Sequence, residues 1–586
     1  MLRIGRLSLI GAVYVSILLF STLSFAAETP KAGTILKQQE QREQSQRLPA
    51  KVPEEEDRLE AITPTDITSP AGPVVKLKNI RITGGEEFAP KEELQAIVDN
   101  EVGKELGIAQ MKQLASKVSA YLQNKGYLLA QAYLPQQDVS NGDLEIVIVD
   151  GRIDGTSEKI VEIVAKDLRL DSKRIQEMFS KRLSLDKTVK KEDLERVLLL
   201  LNDLPGISAR AALKVGRKPQ TARIVTKVEE GEAVSGITWV DNYGSRYSGA
   251  ATANAQLNLN DPLGIGDRMR ADVSISDNQY SLGGNYSFPV GYDGIRLNGG
   301  GKLLEYKIGK ELSASEAEGL ALTFNLGMSY PLIRSRYRNV FLNATYNNKL
   351  LRDKVLGFTV SKRKVNSLQL GVSADQIDQL GQGGISYGNL FLTTGDIDLA
   401  DVASDYQSDQ LTAKVHGDYV VLNGAAARLQ RVFDSFSLFG QIQGQLTNSN
   451  LDSSEQFSLG GPTGVRAYPV GEASGDEGVL INAEIRYDMP TILSYGNIQI
   501  SGFMDYGLIR LNKNPWANCI TNASGKNGYS LAGAGFGISL VKSGAYSAKL
   551  QVATTIGDND GRDLNGNDSD GLSHDVRAWF TASYQF

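Results

Sequence analysis

Arg577-Ala578-Trp579-Phe580-Thr581-Ala582-Ser583-Tyr584-Gln585-Phe586 reads as a β-strand with two unlike faces. Side chains along a strand alternate sides, so Phe580, Ala582, Tyr584 and Phe586 share one face. Arg577, Trp579, Thr581, Ser583 and Gln585 share the other, which is mostly polar. A wall strand with lipid on one side and water on the other needs this pattern. The sequence stops on the aromatic Phe586. Phe580, Tyr584 and Phe586 are therefore expected to act as a closure signal, pairing this strand with the first one so that a barrel has no open edge.

The same texture reaches back to about residue 231. Alternating stretches follow in order at 249–259, 267–276, 281–289, 295–306, 320–330 and 340–350. Tight turns fall at 289–294 and 489–491, and long hydrophilic connections at 394–410, 447–478 and 557–574. Residues 231–586 hold about 16 such strands, the size of a mid-sized membrane barrel with short turns on one side and long loops on the other. A soluble β-sandwich does not account for so many similar strands in one run.

The N-terminus starts with Arg3 and Arg6, an apolar stretch at 7–23, and Ser24-Phe25-Ala26 with small residues at −3 and −1. Residues 1–26 thus read as a signal peptide. No later stretch holds the ~18 apolar residues of a membrane helix, so a membrane protein here would span with strands. Residues 27–47 contain Lys37-Gln38-Gln39-Glu40-Gln41-Arg42-Glu43-Gln44, a helix that is polar almost all round. Without a stripe for an oily core, it suits a water-filled channel, which it would plug; a disordered leader has a similar composition. Residues 48–73 carry Pro49, Pro53, Pro64, Pro70 and Pro73 and read as a linker.

Two units with one plan come next, at 74–151 and 152–230. The first has a strand at 75–82, helices at 91–99 and 108–123, and strands at 127–134 and 144–149. The second has a strand at 159–164, helices at 172–180 and 191–201, and strands at 209–215 and 222–228. Each reads β-α-α-β-β, and the repeated order is stronger than any one assignment.

Several function classes find no support. A net charge of −6 gives no sign of a nucleic-acid partner. Cys519 is the single cysteine and cannot form an internal disulfide, and the two histidines, His416 and His574, lie far apart, so no metal-ligand spacing appears. There is no phosphate-binding Gly-x4-Gly-Lys-Ser/Thr motif. No catalytic constellation, cofactor or metal is expected, and no enzyme.

Gly126-Tyr127, Ala130, Ala132 and Leu134-Pro135 are similar to the first POTRA domain of the two-partner secretion transporters (TpsB), a branch of the superfamily that includes the barrel-assembly protein BamA. Asn141-Gly142-Asp143-Leu144 and Val149-Asp150-Gly151-Arg152-Ile153 continue the match. Leu201-Asn202-Asp203-Leu204-Pro205-Gly206 fits the second POTRA domain. Asp241-Asn242-Tyr243-Gly244 and Leu263-Gly264-Ile265-Gly266-Asp267 fit the start of the barrel. Leu459-Gly460-Gly461 leading to Val465-Arg466-Ala467-Tyr468 resembles the sixth extracellular loop, whose tip is Val-Arg-Gly-Tyr. Phe503-Met504-Asp505-Tyr506-Gly507 resembles the Phe-x-Asp-x-Gly motif of a following strand.

The resemblance implies an outer-membrane β-barrel, two periplasmic α/β POTRA domains and an N-terminal helix. It implies export, with or without activation, of a large exoprotein, such as a haemolysin or adhesin, that carries an N-terminal secretion domain. Outer-membrane lipid and, during biogenesis, the barrel-assembly machinery are the other implied partners. The loop would fold into the barrel, where Arg466 latches onto Asp505, supported by Val465, Tyr468, Phe503 and Gly507. Ala467 departs from the family glycine; a tip with φ > 0 there would cost it roughly 1 kcal/mol.

Elementary chemistry leads to the same pair. Phe503, Asp505 and Gly507 lie on one strand face. Asp505 cannot face lipid cheaply, so that face is expected to line the lumen. A guanidinium grips a carboxylate with two parallel hydrogen bonds, and Gly507 is expected to make room for Arg466. Two rival readings exist. An assembly factor that inserts other barrels shares Arg466 and Asp505, but usually has more POTRA domains and no plug helix. A passive porin or adhesin would use the two units only for docking.

Overall fold

The structure, a computed structural model, describes residues 30–45, 59–60 and 74–586, apart from 157–158, 186–187, 219–220 and 491–494. The expected signal peptide and most of the expected linker lie outside these residues. Sixteen antiparallel strands close into a barrel, from Val234–Asp241 (strand 1) to Val576–Gln585 (strand 16). The end strands pair from Ile237↔Gln585 to Asp241↔Thr581. Phe580, Tyr584 and Phe586 point outward and are exposed, as residues facing lipid are. Gly236 and Phe586 exchange two backbone hydrogen bonds, 2.8 and 3.0 Å long.

Alternation sets the wall. Leu326, Met328, Leu342, Leu368, Leu370 and Leu390 are exposed on the outside. Their neighbours in sequence face the lumen. The longest strands, Arg338–Val355 (strand 7) and Phe358–Asp378 (strand 8), have 18 and 21 residues. A tilted strand crosses the hydrocarbon in ~9–11 residues, so these two project well into water. At the end reached first from the α/β units, connections are short, such as 335–337, 434–435 and 543–545. The opposite end has the long loops 448–476, 511–527 and 556–575, although 277–278 and 356–357 there are tight hairpins. The connection expected from residue 394 starts later, because strand 9 (Gly384–Asp398) continues through Thr394, Asp396 and Asp398. Polar residues on both faces signal a strand above the lipid as well as a loop. Residues 399–416 then carry a helix, Ala403–Leu411.

Both α/β units keep the expected order of helices and main strands, with two additions: Glu105–Leu106 is a short strand between the helices of the first, and Arg152–Ile153 a short strand at the start of the second. In the first, the central strand Asp143–Val149 pairs parallel with Asn79–Thr83 and antiparallel with Gln131–Tyr133. Helices Lys91–Asp99 and Ile108–Asn124 bury Leu94, Val98, Met111, Leu114 and Val118 against this sheet. The expected first strand is broken at Leu77-Lys78 into Val75–Lys76 and Asn79–Thr83. The second unit centres on Thr221–Glu230, beside Ile207–Val215. Leu59–Glu60, within the expected linker, adds a parallel strand to the outer edge of Ile207–Val215.

The second unit is clamped to the barrel's short turns. Asp203 accepts two hydrogen bonds from Arg334, at 2.7 and 2.9 Å. Asp293 in the turn 291–294 accepts two from Arg182, at 2.7 and 3.2 Å, with Arg196 3.6 Å away. Leu204 packs under Gly266, where a Cβ would come within 2.8 Å of its methyl and φ is +78°.

The N-terminal helix, Ala32–Ser45, lies inside the barrel and touches strands 6 and 7. The polar surface expected from residues 37–44 does not extend to its first turn. Ala32, Ile35 and Leu36 follow the i, i+3, i+4 spacing of an apolar face. They are buried against Leu304, Tyr306, Ala321 and Leu351 of the wall. Beyond that turn the contacts are polar: Gln39 donates to Ser281 at 2.6 Å and Arg42 to Ser274 at 3.0 Å.

Candidate functional site: the loop seat in the lumen

Loop 448–476 joins strands 11 (Phe436–Thr447) and 12 (Glu477–Asp488) and folds back into the barrel. A backbone hook forms its tip. Val465 N–H donates to Leu459 C=O at 2.7 Å, and Tyr468 N–H to Val465 C=O at 3.1 Å. The hook needs glycine: a Cβ on Gly464 or Gly460 would collide with the carbonyl oxygens of Leu459 and Pro469. Leu459, Val465, Ala467 and Tyr468 are completely buried, with Phe503, Leu480 and Leu531 of the wall around them.

Arg466 is buried among the charges of strands 12 and 13 (Asn497–Arg510). Its Nε and Nη2 donate to the two oxygens of Asp505 at 2.9 and 2.6 Å, and its backbone N–H also donates to Asp505 at 3.0 Å. Its Nη1 reaches Glu484. The guanidinium lies over the Phe503 ring, 3.5 Å from the centroid. Asn482 donates to Asp505 at 2.8 Å and to Gly464 C=O at 3.0 Å, tying hook and wall together. Trp579 Nε1 donates to the Arg466 carbonyl at 2.7 Å. So one arginine touches strands 12, 13 and 16 at once.

The structure thus brings together Arg466, Asp505, Val465, Tyr468 and Phe503. Gly507 plays a different part from the expected one: it makes room for Leu459, not Arg466, since a Cβ there would sit 2.6 Å from a Leu459 methyl. Ala467 has no positive φ, so the feared backbone cost is absent. Its methyl does need space, and Gly533 on strand 14 (Gly528–Lys542) provides it; a Cβ at 533 would lie 2.6 Å from Ala467 Cβ. Glu484, Asn482, Trp579 and Gly533 were not anticipated. The one signal available for two of them was parity: Asn482 and Glu484 share the inner face of strand 12.

The loop is also tied to neighbours above the hook. Glu472 accepts from Asn559 at 2.7 Å and from Ser569 N–H at 2.6 Å, both in loop 556–575. Burial pushes the Glu472 carboxyl up despite these two donors. On the other side, Lys349 sits 2.9 Å from Glu455 of the loop and 3.8 Å from Glu40 of the helix. Arg363 bridges Asp452 of the loop, at 2.6 Å, and Asp353. Asp353 in turn accepts from the Ala32 N–H at 2.8 Å. Loop and helix therefore share two buried cations on strands 7 and 8. No group of three or more potential metal ligands occurs among the described residues.

A family model described as haemolysin secretion/activation protein ShlB/FhaC/HecB matches residues 220–540, more than half of the chain. The chain belongs to that family. A second model, POTRA domain of the ShlB type, matches residues 75–151. The heme/hemopexin transporter protein HuxB of Haemophilus influenzae is 28% identical over 563 residues, 94% of this chain and 96% of that protein. The outer membrane transporter CdiB of Escherichia coli O6:K15:H31 is 23% identical over 475 residues, 77% of this chain and 76% of that protein. Among solved structures, CdiB from Escherichia coli superposes with a TM-score of 0.68 at 19% identity, covering 96% of this chain and 100% of that one. BamA from Haemophilus ducreyi lacking POTRA domains 1–3 superposes at 0.53 and 13% identity, over 88% of this chain and 100% of that one, which marks a shared fold. The family member described here is an outer-membrane two-partner secretion transporter that exports a partner exoprotein, with POTRA structure on its periplasmic side.

Proposed function

We propose that the buried Arg466 grip is a latch that holds loop 448–476 in a resting position, and that the helix Ala32–Ser45 is a plug. The observation that carries this reading is the position of Arg466, bidentate on Asp505 and in contact with Glu484. Loop and helix together occupy the lumen, so passage of a chain requires both to move. The second unit is a second POTRA domain in this reading, and both face the periplasm. An exoprotein with an N-terminal secretion domain arrives unfolded and adds a strand to an exposed sheet edge. The edges of the first unit, Asn79–Thr83 and Gln131–Tyr133, suit this best. The matching edge of the second unit already carries Leu59–Glu60. Folding of the exoprotein outside supplies the direction of transport. Outer-membrane lipid surrounds the wall, and the closing strand with Phe580, Tyr584 and Phe586 is read by the barrel-assembly machinery during biogenesis. A large exoprotein such as a haemolysin or adhesin is the proposed client, in keeping with the family description.

Arg466→Ala tests the latch. Removing one partner of a buried ion pair costs about 3–5 kcal/mol, because the other charges stay behind. The expected result is loss of exoprotein release with a barrel that still assembles and still shifts on heating in a gel. Normal release by this variant would sink the latch.

A further inference from the structure

We propose that the exoprotein in transit runs along one particular side of the lumen, the inner face of strands 6–11, as an extended chain held by uncharged amides and hydroxyls. The inference rests on the proposed passage through the lumen and adds where the chain goes and what it touches. Strands 6 (Glu318–Arg334) to 11 present Asn325, Asn347, Gln369, Asn389, Asn423 and Gln443 inward. Over segments 323–329, 343–347, 367–373, 389–393, 423–425 and 441–445 there is no Asp, Glu, Lys or Arg at all. At a rise of ~3.3 Å the strip is about 20 Å long on strand 8 and narrows to about 7 Å on strand 10. Lys349 and Arg363 bound it toward the exterior, and Asp375 toward the periplasm. The rest of the wall differs. Glu484, Arg486, Asp505 and Lys549 line strands 12–15, where the loop tip is seated, and Arg268, Arg270 and Lys302 line strands 3 and 5.

Magnitudes decide why a neutral strip suits a moving chain. Two opposite charges at 4 Å and an effective dielectric of ~20 attract by about 4 kcal/mol. A neutral hydrogen bond is worth a net ~0.5–1.5 kcal/mol. Conduction needs contacts strong enough to admit the passenger and weak enough to release it. Each Asn or Gln offers donors and an acceptor, so it serves the main-chain N–H and C=O of any residue. The strip therefore fits a polypeptide of any sequence, provided it is extended.

The test uses the full chain in its membrane together with its partner exoprotein, stalled in transit by an engineered disulfide loop. A photoreactive residue is placed in turn at Asn325, Asn347 and Gln369 on the strip, and at Asn258 and Ser583 on the remaining wall. Adducts with the stalled exoprotein are expected at the first three positions and not at the other two. Adducts concentrated at Asn258 and Ser583 would overturn the strip while leaving passage through the lumen intact. Adducts at none of the five would overturn both. As a second arm, N325D/N347D/Q369E should cut the release rate by about tenfold, the factor that 1.4 kcal/mol of added retention gives, with assembly unchanged; an unaltered rate would refute the argument from charge.

Discussion

The two objects inside this barrel are held in opposite ways. The loop tip is held by a dry, interlocked seat: one arginine with four hydrogen bonds to Asp505 and Glu484, a tryptophan on its carbonyl, and a wall shaped by Gly507 and Gly533. The helix is held by one apolar turn, by its Ala32 N–H on Asp353, by hydrogen bonds of Gln39 and Arg42 to serines, and by Glu40 facing Lys349 at 3.8 Å. Burying Ile35 and Leu36 stabilises it by roughly 1.5–3 kcal/mol each. The tip adds a buried charge cluster whose parts fail together. On the proposed reading the difference sets an order of events, in which the helix leaves first and the tip holds until pulled.

The comparison is broken most severely at Arg466. Arg466→Lys keeps the charge, but a single ammonium cannot lie flat on Phe503 while gripping Asp505 with two parallel bonds and reaching Glu484. The expected loss is close to that of the alanine variant, on the order of 3 kcal/mol. Protease cleavage within 448–476 reads it; resistance equal to the unaltered protein would show that charge alone holds the tip. Next comes Gly533→Val. The added methyls meet Ala467 at a site with no slack, and overpacking costs typically 1–3 kcal/mol. The tip should loosen although Arg466 and Asp505 are untouched. A companion Ala467→Gly should restore part of the protease resistance, and absence of any rescue would locate the damage elsewhere.

These residues also show what the sequence displays and what it hides. The barrel was legible because alternation repeats in every strand, so each strand restates the same inside and outside. Arg466 and Asp505 were legible because each lies in a short motif, and Asp505 sits on a face that lipid forbids. Trp579 was visible only as an exception on a polar face; nothing local says that its N–H meets a carbonyl 113 residues away. Gly507 looked like space for the nearest large group, and only the path of the hook shows that the group is Leu459. The first turn of the helix was masked by the long polar run that follows it, since three small or aliphatic residues weigh little in a composition. For Trp579 and Gly507 what was lost is a long-range pairing, which periodicity cannot encode.

The weaker side of the comparison is sharpened at the helix. Ile35→Asn with Leu36→Asn removes its apolar anchor and leaves Gln39 and Arg42 in place. Helix loss should raise single-channel conductance in planar bilayers, with protease resistance of the loop tip retained. If the tip loosened as well, the shared cations Lys349 and Arg363 would be transmitting more than the separate seats suggest, and the order of release would have to be redrawn.

The smallest effect lies outside the lumen, where the second α/β unit meets the turn 291–294. Burial alone would raise the Asp293 carboxyl, but the hydrogen bond and charge of Arg182, with Arg196 behind it, outweigh burial and hold it below the usual carboxylate range. A depressed carboxyl stabilises the docked state fully above its unfolded value of about 3.9 and loses that contribution as pH falls through the lower, folded value. Docking should thus be flat from neutral pH to about 4 and weaken only below it. Hydrogen exchange at 291–294 measures this, and Arg182→Gln should remove most of the acid-side change. Loss of docking already at pH 6 would assign the contact to some other group. Because Asp293 lies on the barrel and Arg182 on the periplasmic unit, this contact also sets how firmly that unit is held at the mouth, so a weak pH response there is what a fixed docking platform requires.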